Sequence, residues 1–167
     1  MDIQSNLIHL RQTTEQDLDF VMDAEQADDN RRYIAQWKRE QHMAAFADED
    51  VLHFIILNAD GERSGYVILT GMLDLNLTVC IMRLVIVSKG HGYGSEALRL
   101  LIGWIFNHTE THRLWLDVRD QNTRAQRIYQ RQGFRLEGTL RECIKIGDTF
   151  ESLQIMSILR PEYEGRT

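Results

Sequence analysis

The feature that most restricts this chain is a strand that runs straight into a glycine cluster and then into a helix. Arg83-Leu84-Val85-Ile86-Val87 is an apolar, β-branched run. Lys89-Gly90-His91-Gly92-Tyr93-Gly94 follows at once. Helical periodicity then begins at Ser95, with Ala97, Leu98, Leu101, Trp104 and Ile105 on one face. Glycines let a backbone turn sharply and come close to a ligand. The first amides of the following helix lack internal partners, and the helix dipole favours negative charge beside them. The unit reads as a diphosphate cradle with Lys89 next to it. A glycine turn without a ligand is the plainer reading. Three alternating glycines cost folding entropy, which weighs against it.

The elements before this unit read as an antiparallel meander. A first strand covers 7–10, and Thr14 with Asp17 opens a helix carrying Leu18, Val21 and Met22. A second helix is expected over 31–46, although its apolar face is poorly defined. The strand at 51–57 turns at Asn58-Ala59-Asp60-Gly61 and returns over 66–69. Apolar segments at 73–79 and 81–87 suggest a second hairpin. After the glycine unit come a strand at 114–118, a helix at 122–132 stopped by Gly133, and strands at 134–136, 139–146 and 150–159 around a Gly147-Asp148 turn. The expected fold is therefore mixed α/β (α+β), a largely antiparallel central sheet flanked by helices. Residues 1–167 form one domain, with a short loose tail after Glu162.

Composition sets the outer limits. A 167-residue chain is long enough to bury one core. The formal net charge of -6 argues against nucleic acid as the main partner and suits an amine. Cys80 and Cys143 read as reduced packing residues, and no Cys or His cluster implies a metal. No signal peptide or membrane span is read, so the expected setting is cytoplasmic, away from membranes.

A rival reading starts from Gly92-x-Gly94-x-x-Ala97, which fits a dinucleotide fingerprint, with Asp117 placed as the ribose acid. Such a fingerprint normally opens an α/β fold and needs repeated βαβ units. Here several antiparallel strands come first, and only one such unit follows.

The chain resembles the GNAT superfamily of N-acyltransferases in two segments. One is the basic-x-x-Gly-x-Gly loop at Lys89-Gly90-His91-Gly92-Tyr93-Gly94 with Ser95-Glu96-Ala97-Leu98. The other is Leu116-Asp117-Val118-Arg119-Asp120-Gln121-Asn122-Thr123-Arg124-Ala125, continuing through Ile128-Tyr129 to Gly133-Phe134. The ending, with Gly138, Arg141, the segment Gly147 to Leu153, and Met156, is similar to the branch holding ribosomal-protein N-terminal and spermidine acetyltransferases. Lys89 departs from the usual Arg or Gln, so phosphate attraction stays while bidentate geometry goes.

The resemblance implies acetyl-CoA as co-substrate, no metal, and direct acetyl transfer to a primary amine in a ternary complex. The acceptor is a small-molecule amine such as a polyamine, or a protein N-terminal amine. Leu84, Val85 and Ile86 would pair with the pantetheine arm, with a backbone amide at Leu84 or Val85 polarising the thioester carbonyl. Lys89, Gly90, His91, Gly92, Tyr93, Gly94 and Ser95 would take the diphosphate. Asn122 and Ala125 would meet the pantetheine, although Asn122 is equally a helix N-cap. Tyr129 would protonate the departing thiolate, or serve as a core aromatic.

The general base is left open. Glu25, Asp74 and His53 are conceivable, but ordinary surface or strand roles suit each better. Tyr33 and Trp37 could line an amine pocket, with core packing the plainer role. Asp28-Asp29 could attract a cation, or form a solvated turn. A non-catalytic acyl-CoA-binding module on the same fold is the alternative, and an open sheet edge leaves a homodimer as an option.

Overall fold

The computed structural model describes residues 2–166. Its centre is an eight-stranded sheet in the order β1-β2-β3-β4-β5-β6-β8-β7. The strands are β1 (Asp2–Gln4), β2 (Ile8–Gln12), β3 (Val51–Asn58), β4 (Arg63–Thr70), β5 (Thr78–Ile86), β6 (Arg113–Arg119), β7 (Arg135–Ile146) and β8 (Thr149–Leu159). Every neighbouring pair is antiparallel except β5 and β6. The helices are α1 (Leu18–Gln26), α2 (Asp28–Arg31), α3 (Arg39–Phe46), α4 (Tyr93–His108), α5 (Thr123–Gln132) and α6 (Arg160–Glu164).

Apolar patterning assigns the layers. The Leu98, Leu101 and Ile105 face of α4 packs with Leu10, Phe54, Val67, Leu116 and Val118 on one side of the sheet. Val21 and Ala24 of α1 pack with Ile55, Tyr66, Ile68 and Val85 on the other. Fully burying each aliphatic side chain is worth about 1.5–3 kcal/mol, so these two layers fix where both helix groups sit. The expected α/β (α+β) sheet flanked by helices is present.

Four local expectations need correction. Residues 31–46 are not one helix: α2 ends at Arg31 and α3 begins at Arg39. The Trp37 amide donates to the Glu25 carboxylate at 2.8 Å, which takes this stretch out of helical bonding. Residues 73–77 are not strand. The Asp50 carboxylate accepts from the amides of Gly71 at 3.0 Å and Leu73 at 2.7 Å, which holds a turn. The apolar alternation there is misleading, since Leu75 is 97% exposed. The strands expected at 134–136 and 139–146 are one strand, β7, with irregular register at two points.

The tail is not loose either. Tyr163 stacks on Phe106 at 4.9 Å. Arg166 donates to the carbonyls of Gln132 and Gly133, each at 2.9 Å, which caps α5. Cys80 is half-buried as a packing residue, but Cys143 is exposed on β7.

Candidate active site

The cleft arises from one interrupted pairing. β5 and β6 are parallel neighbours over only three pairs, Thr78 with Arg113 to Cys80 with Trp115. Beyond these the two strands separate, while β4 still pairs with β5 and β8 with β6. A bulge begins the separation: Ile68 faces Arg83 and Leu69 faces Ile81, which leaves Met82 as the extra residue. The slot between the strands opens into a cleft of about 650 Å³.

Strand alternation says which backbone groups line this slot. Val87 N–H donates to Ser64 carbonyl at 2.8 Å, so β5 turns Val85 and Arg83 towards β4. The N–H and C=O groups of Leu84 and Ile86 then face the slot, where no strand pairs with them. Of the two amides expected to polarise a carbonyl, that of Leu84 opens on the slot. The Val85 amide is committed to β4.

The loop delivers its amides at the far end of the slot. Gly92 is the N-cap of α4 with a φ of 81°, a left-handed conformation that a side chain resists. The turn directs the first N–H groups of α4 at the cleft mouth, which Lys89, Gly90, Gly92, Tyr93, Gly94 and Ser95 line. His91 is not on the lining and stacks on Tyr93 at 5.3 Å. Ser95 Oγ is held by Gln132 Nε2 at 2.8 Å.

Asn122, Ala125 and Tyr129 reach the cleft from α5. Asn122 Oδ1 accepts from the Ala125 amide at 3.2 Å, so it does cap the helix. The Tyr129 hydroxyl makes no hydrogen bond among the described residues. Burial, with the Asp117 charge added, pushes it up to about 12, so it stays a protonated donor.

Sequence reasoning missed Asp117 as an acceptor-side residue, and it missed Arg124 and Arg131. Leu116 and Val118 are buried beside α4, so Asp117 projects on the opposite face of β6. It lines the cleft and makes no hydrogen bond or ion pair among the described residues. The side chain is exposed, but the cleft walls take water from part of it and raise its pKa, with Arg119 opposing. Arg124 and Arg131 lie one on each side of Tyr129 in sequence and add positive charge to the mouth.

The open candidates resolve differently. Glu25 is a buried hub rather than a surface residue. Its carboxylate accepts from Tyr66 Oη at 2.7 Å, from the Trp37 amide and from Arg83 Nη1, and His42 Nε2 lies 3.2 Å away. Burial pushes this carboxyl up, but these partners outweigh it and hold it below its usual range. His53 is buried, with its ring nitrogens on His42 at 3.3 Å and Thr13 at 2.9 Å. Burial, with His42 beside it, pushes His53 down to about 3. Neither residue lines the cleft. Asp74 lies in the 71–77 turn, where it accepts from the Asn76 amide at 2.7 Å. Trp37 packs in the second core layer, whereas Tyr33 lines the cleft. Asp28 and Asp29 open α2, paired with Arg31 at 3.3 Å and Lys89 at 3.4 Å.

A split sheet beside a helix-capped glycine loop leaves a slot with unpaired backbone groups along it and helix amides at its mouth, and comparison with known proteins gives the class. Residues 8–135 match the acetyltransferase (GNAT) domain, and the chain belongs to that family of acetyl-CoA-dependent acyltransferases. It is 28% identical over 144 residues to a probable N-acetyltransferase, YjcK, of Bacillus subtilis, covering 83% of this chain and 78% of that one. It is 25% identical over 169 residues to the spermidine N(1)-acetyltransferase of Escherichia coli K12, covering 93% and 88%. The fold superposes on the Vibrio cholerae spermidine N-acetyltransferase solved with CoA and spermine, at a TM-score of 0.87 and 20% identity, covering 96% and 99%.

Proposed function

We propose that this chain transfers the acetyl group of acetyl-CoA directly to a primary amine, and that the slot between β5 and β6 is where transfer occurs. The observation that carries the reading is the unpaired strand edge at Leu84 and Ile86, running into the α4 amides and facing the unpartnered Tyr129 hydroxyl. The fit is chemical as well as geometric. Pantetheine carries amide groups that an open strand edge can pair with. The diphosphate is anionic, and the α4 amides with Lys89, Arg124 and Arg131 supply positive potential.

The steps balance with this chain's own groups. The Leu84 amide polarises the thioester carbonyl, as an oxyanion-hole donor does. The Asp117 carboxylate takes a proton from the acceptor ammonium on its own face of the sheet. The amine nitrogen attacks the carbonyl carbon, the carbon–sulfur bond breaks, and the Tyr129 hydroxyl protonates the departing thiolate. The nitrogen gives its second proton to the Tyr129 phenolate, amide and free thiol leave, and Asp117 releases its proton to solvent.

Spermidine is the first acceptor to test, because relatives named for it share this domain. A protein N-terminal amine is the second. The whole chain serves as one catalytic domain. Self-association is part of the same reading: β7 is an open sheet edge with Leu136, Leu140 and Ile146 exposed. Light scattering tests it, and a strict monomer at assay concentration removes it. The catalytic reading is tested by acetyl-CoA-dependent thiol release across an amine panel. Turnover with at least one primary amine is expected. Tight acetyl-CoA binding without turnover would favour a binding module.

A further inference from the structure

The Arg83 guanidinium is an unusual group for the wall of an amine site. Its side chain is only 5% exposed, yet the residue lines the cleft. Nη1 donates to Glu25, and the Trp37 ring covers one face at 4.4 Å. The Tyr66 hydroxyl is the guanidinium's other hydrogen-bond partner, so Glu25 and Tyr66 leave part of its five-donor fork without a side-chain partner among the described residues. A buried guanidinium gives up much of its hydration and needs partners for its donors. The available partner space is the cleft, beside the Leu84 amide and the Met82 bulge. Asn30, Tyr33 and Ile34 also line the cleft.

We infer that Arg83 is a specificity residue of the acceptor site, reading an oxygen that the acceptor carries beside its reacting amine, with Glu25 as its positioning residue. The guanidinium is a planar fork suited to a carbonyl or carboxylate oxygen. Glu25 neutralises one side of it and aims the other. The Glu25 carboxylate also holds the Trp37 amide and the Tyr66 hydroxyl, so the fork is fixed against β4, α1 and the segment before α3. A site built to bond an oxygen rejects the analogue that lacks it, because its buried donors are then left unpaired. The inference rests on the acetyltransferase reading and narrows the acceptor within it. A polyamine has no such oxygen.

The test uses the full chain, acetyl-CoA, and two amines of matched length, β-alaninamide and butylamine, with spermidine as a third. In the wild type, kcat/KM should favour β-alaninamide over butylamine. Arg83→Met should lower that ratio at least tenfold while the acetyl-CoA Kd stays within twofold. Comparing ratios between variants cancels the different basicity of the amines. Glu25→Gln should lower the same ratio through KM for β-alaninamide rather than through kcat. Because Arg83→Met strands a buried carboxylate, the double variant Glu25→Leu with Arg83→Met is made beside it, and it should show the same collapse. A ratio that survives in whichever variant still binds acetyl-CoA would overturn the inference. So would a wild type that turns over spermidine but prefers neither matched amine, and the acetyltransferase reading would then stand. No turnover with any amine would remove both.

Discussion

In the proposed mechanism Tyr129 and Asp117 divide the proton chemistry between the two faces of the sheet. Tyr129 packs with the α4 layer and Asp117 projects on the other side, with the slot between them. Tyr129→Phe keeps the ring and removes the donor. It should lower kcat by roughly 100-fold, the scale of one general acid, with acetyl-CoA affinity unchanged. Steady-state kinetics and calorimetry check both halves. Asp117 works as a base only when ionised, and partial loss of water against the cleft walls raises its pKa. Activity should therefore fall as pH drops through a value above the ordinary carboxylate range. In Asp117→Asn that acid limb should move up to the acceptor's own pKa. A kcat/KM profile against pH that is identical in the two proteins would remove Asp117 from the reaction. The place of Tyr129 was legible, since its helix runs locally from Asn122 to Gly133 and the resemblance marked the residue. The place of Asp117 on the cleft was not, because it depends on where β5 stops pairing with β6.

The central element is β5 with its glycine turn and α4, and its parts were readable for a simple reason. Strand period, glycine positions and helix period all lie within a few residues of one another. The slot was not readable, because it exists only where β5 and β6 stop pairing after Cys80 and Trp115. The 31–46 stretch misled for a similar reason: Glu25, twelve residues before Trp37, takes the amide that a helix would have used. Gly92 offers the direct test at this scale. Nothing lies within 4 Å of a Cβ built there, so steric crowding is not the issue. The φ of 81° is. Gly92→Val should strain the turn by about 1–2 kcal/mol and obstruct the diphosphate path. A loss of at least tenfold in acetyl-CoA affinity is expected, with the circular dichroism spectrum retained.

At the scale of the whole molecule, the C-terminal segment closes the structure over the site's supports. Arg160 donates to the carbonyls of Phe106 at 2.7 Å, Thr109 at 2.7 Å and Thr111 at 2.9 Å, which ties α6 to the end of α4. Gly133 ends α5 with a φ of 98°, where Arg166 takes up the last carbonyls. Arg160→Ala should cost roughly 2 kcal/mol, the scale of charge-assisted hydrogen bonds lost from one side chain. That corresponds to a Tm lower by about 4–8 °C in a chain of this size, readable by calorimetry. Composition and pattern could not show this docking, since the partners are backbone carbonyls about fifty residues from Arg160 and more than thirty from Arg166.

The account stands on the grip that the open β5 edge and the α4 amides exert on a thioester donor. Hydrogen exchange of the full chain with and without acetyl-CoA reads that grip amide by amide. The account predicts slowed exchange at Leu84 and Ile86 and at the first residues of α4. Protection confined to other segments, or none at saturating acetyl-CoA, would contradict it.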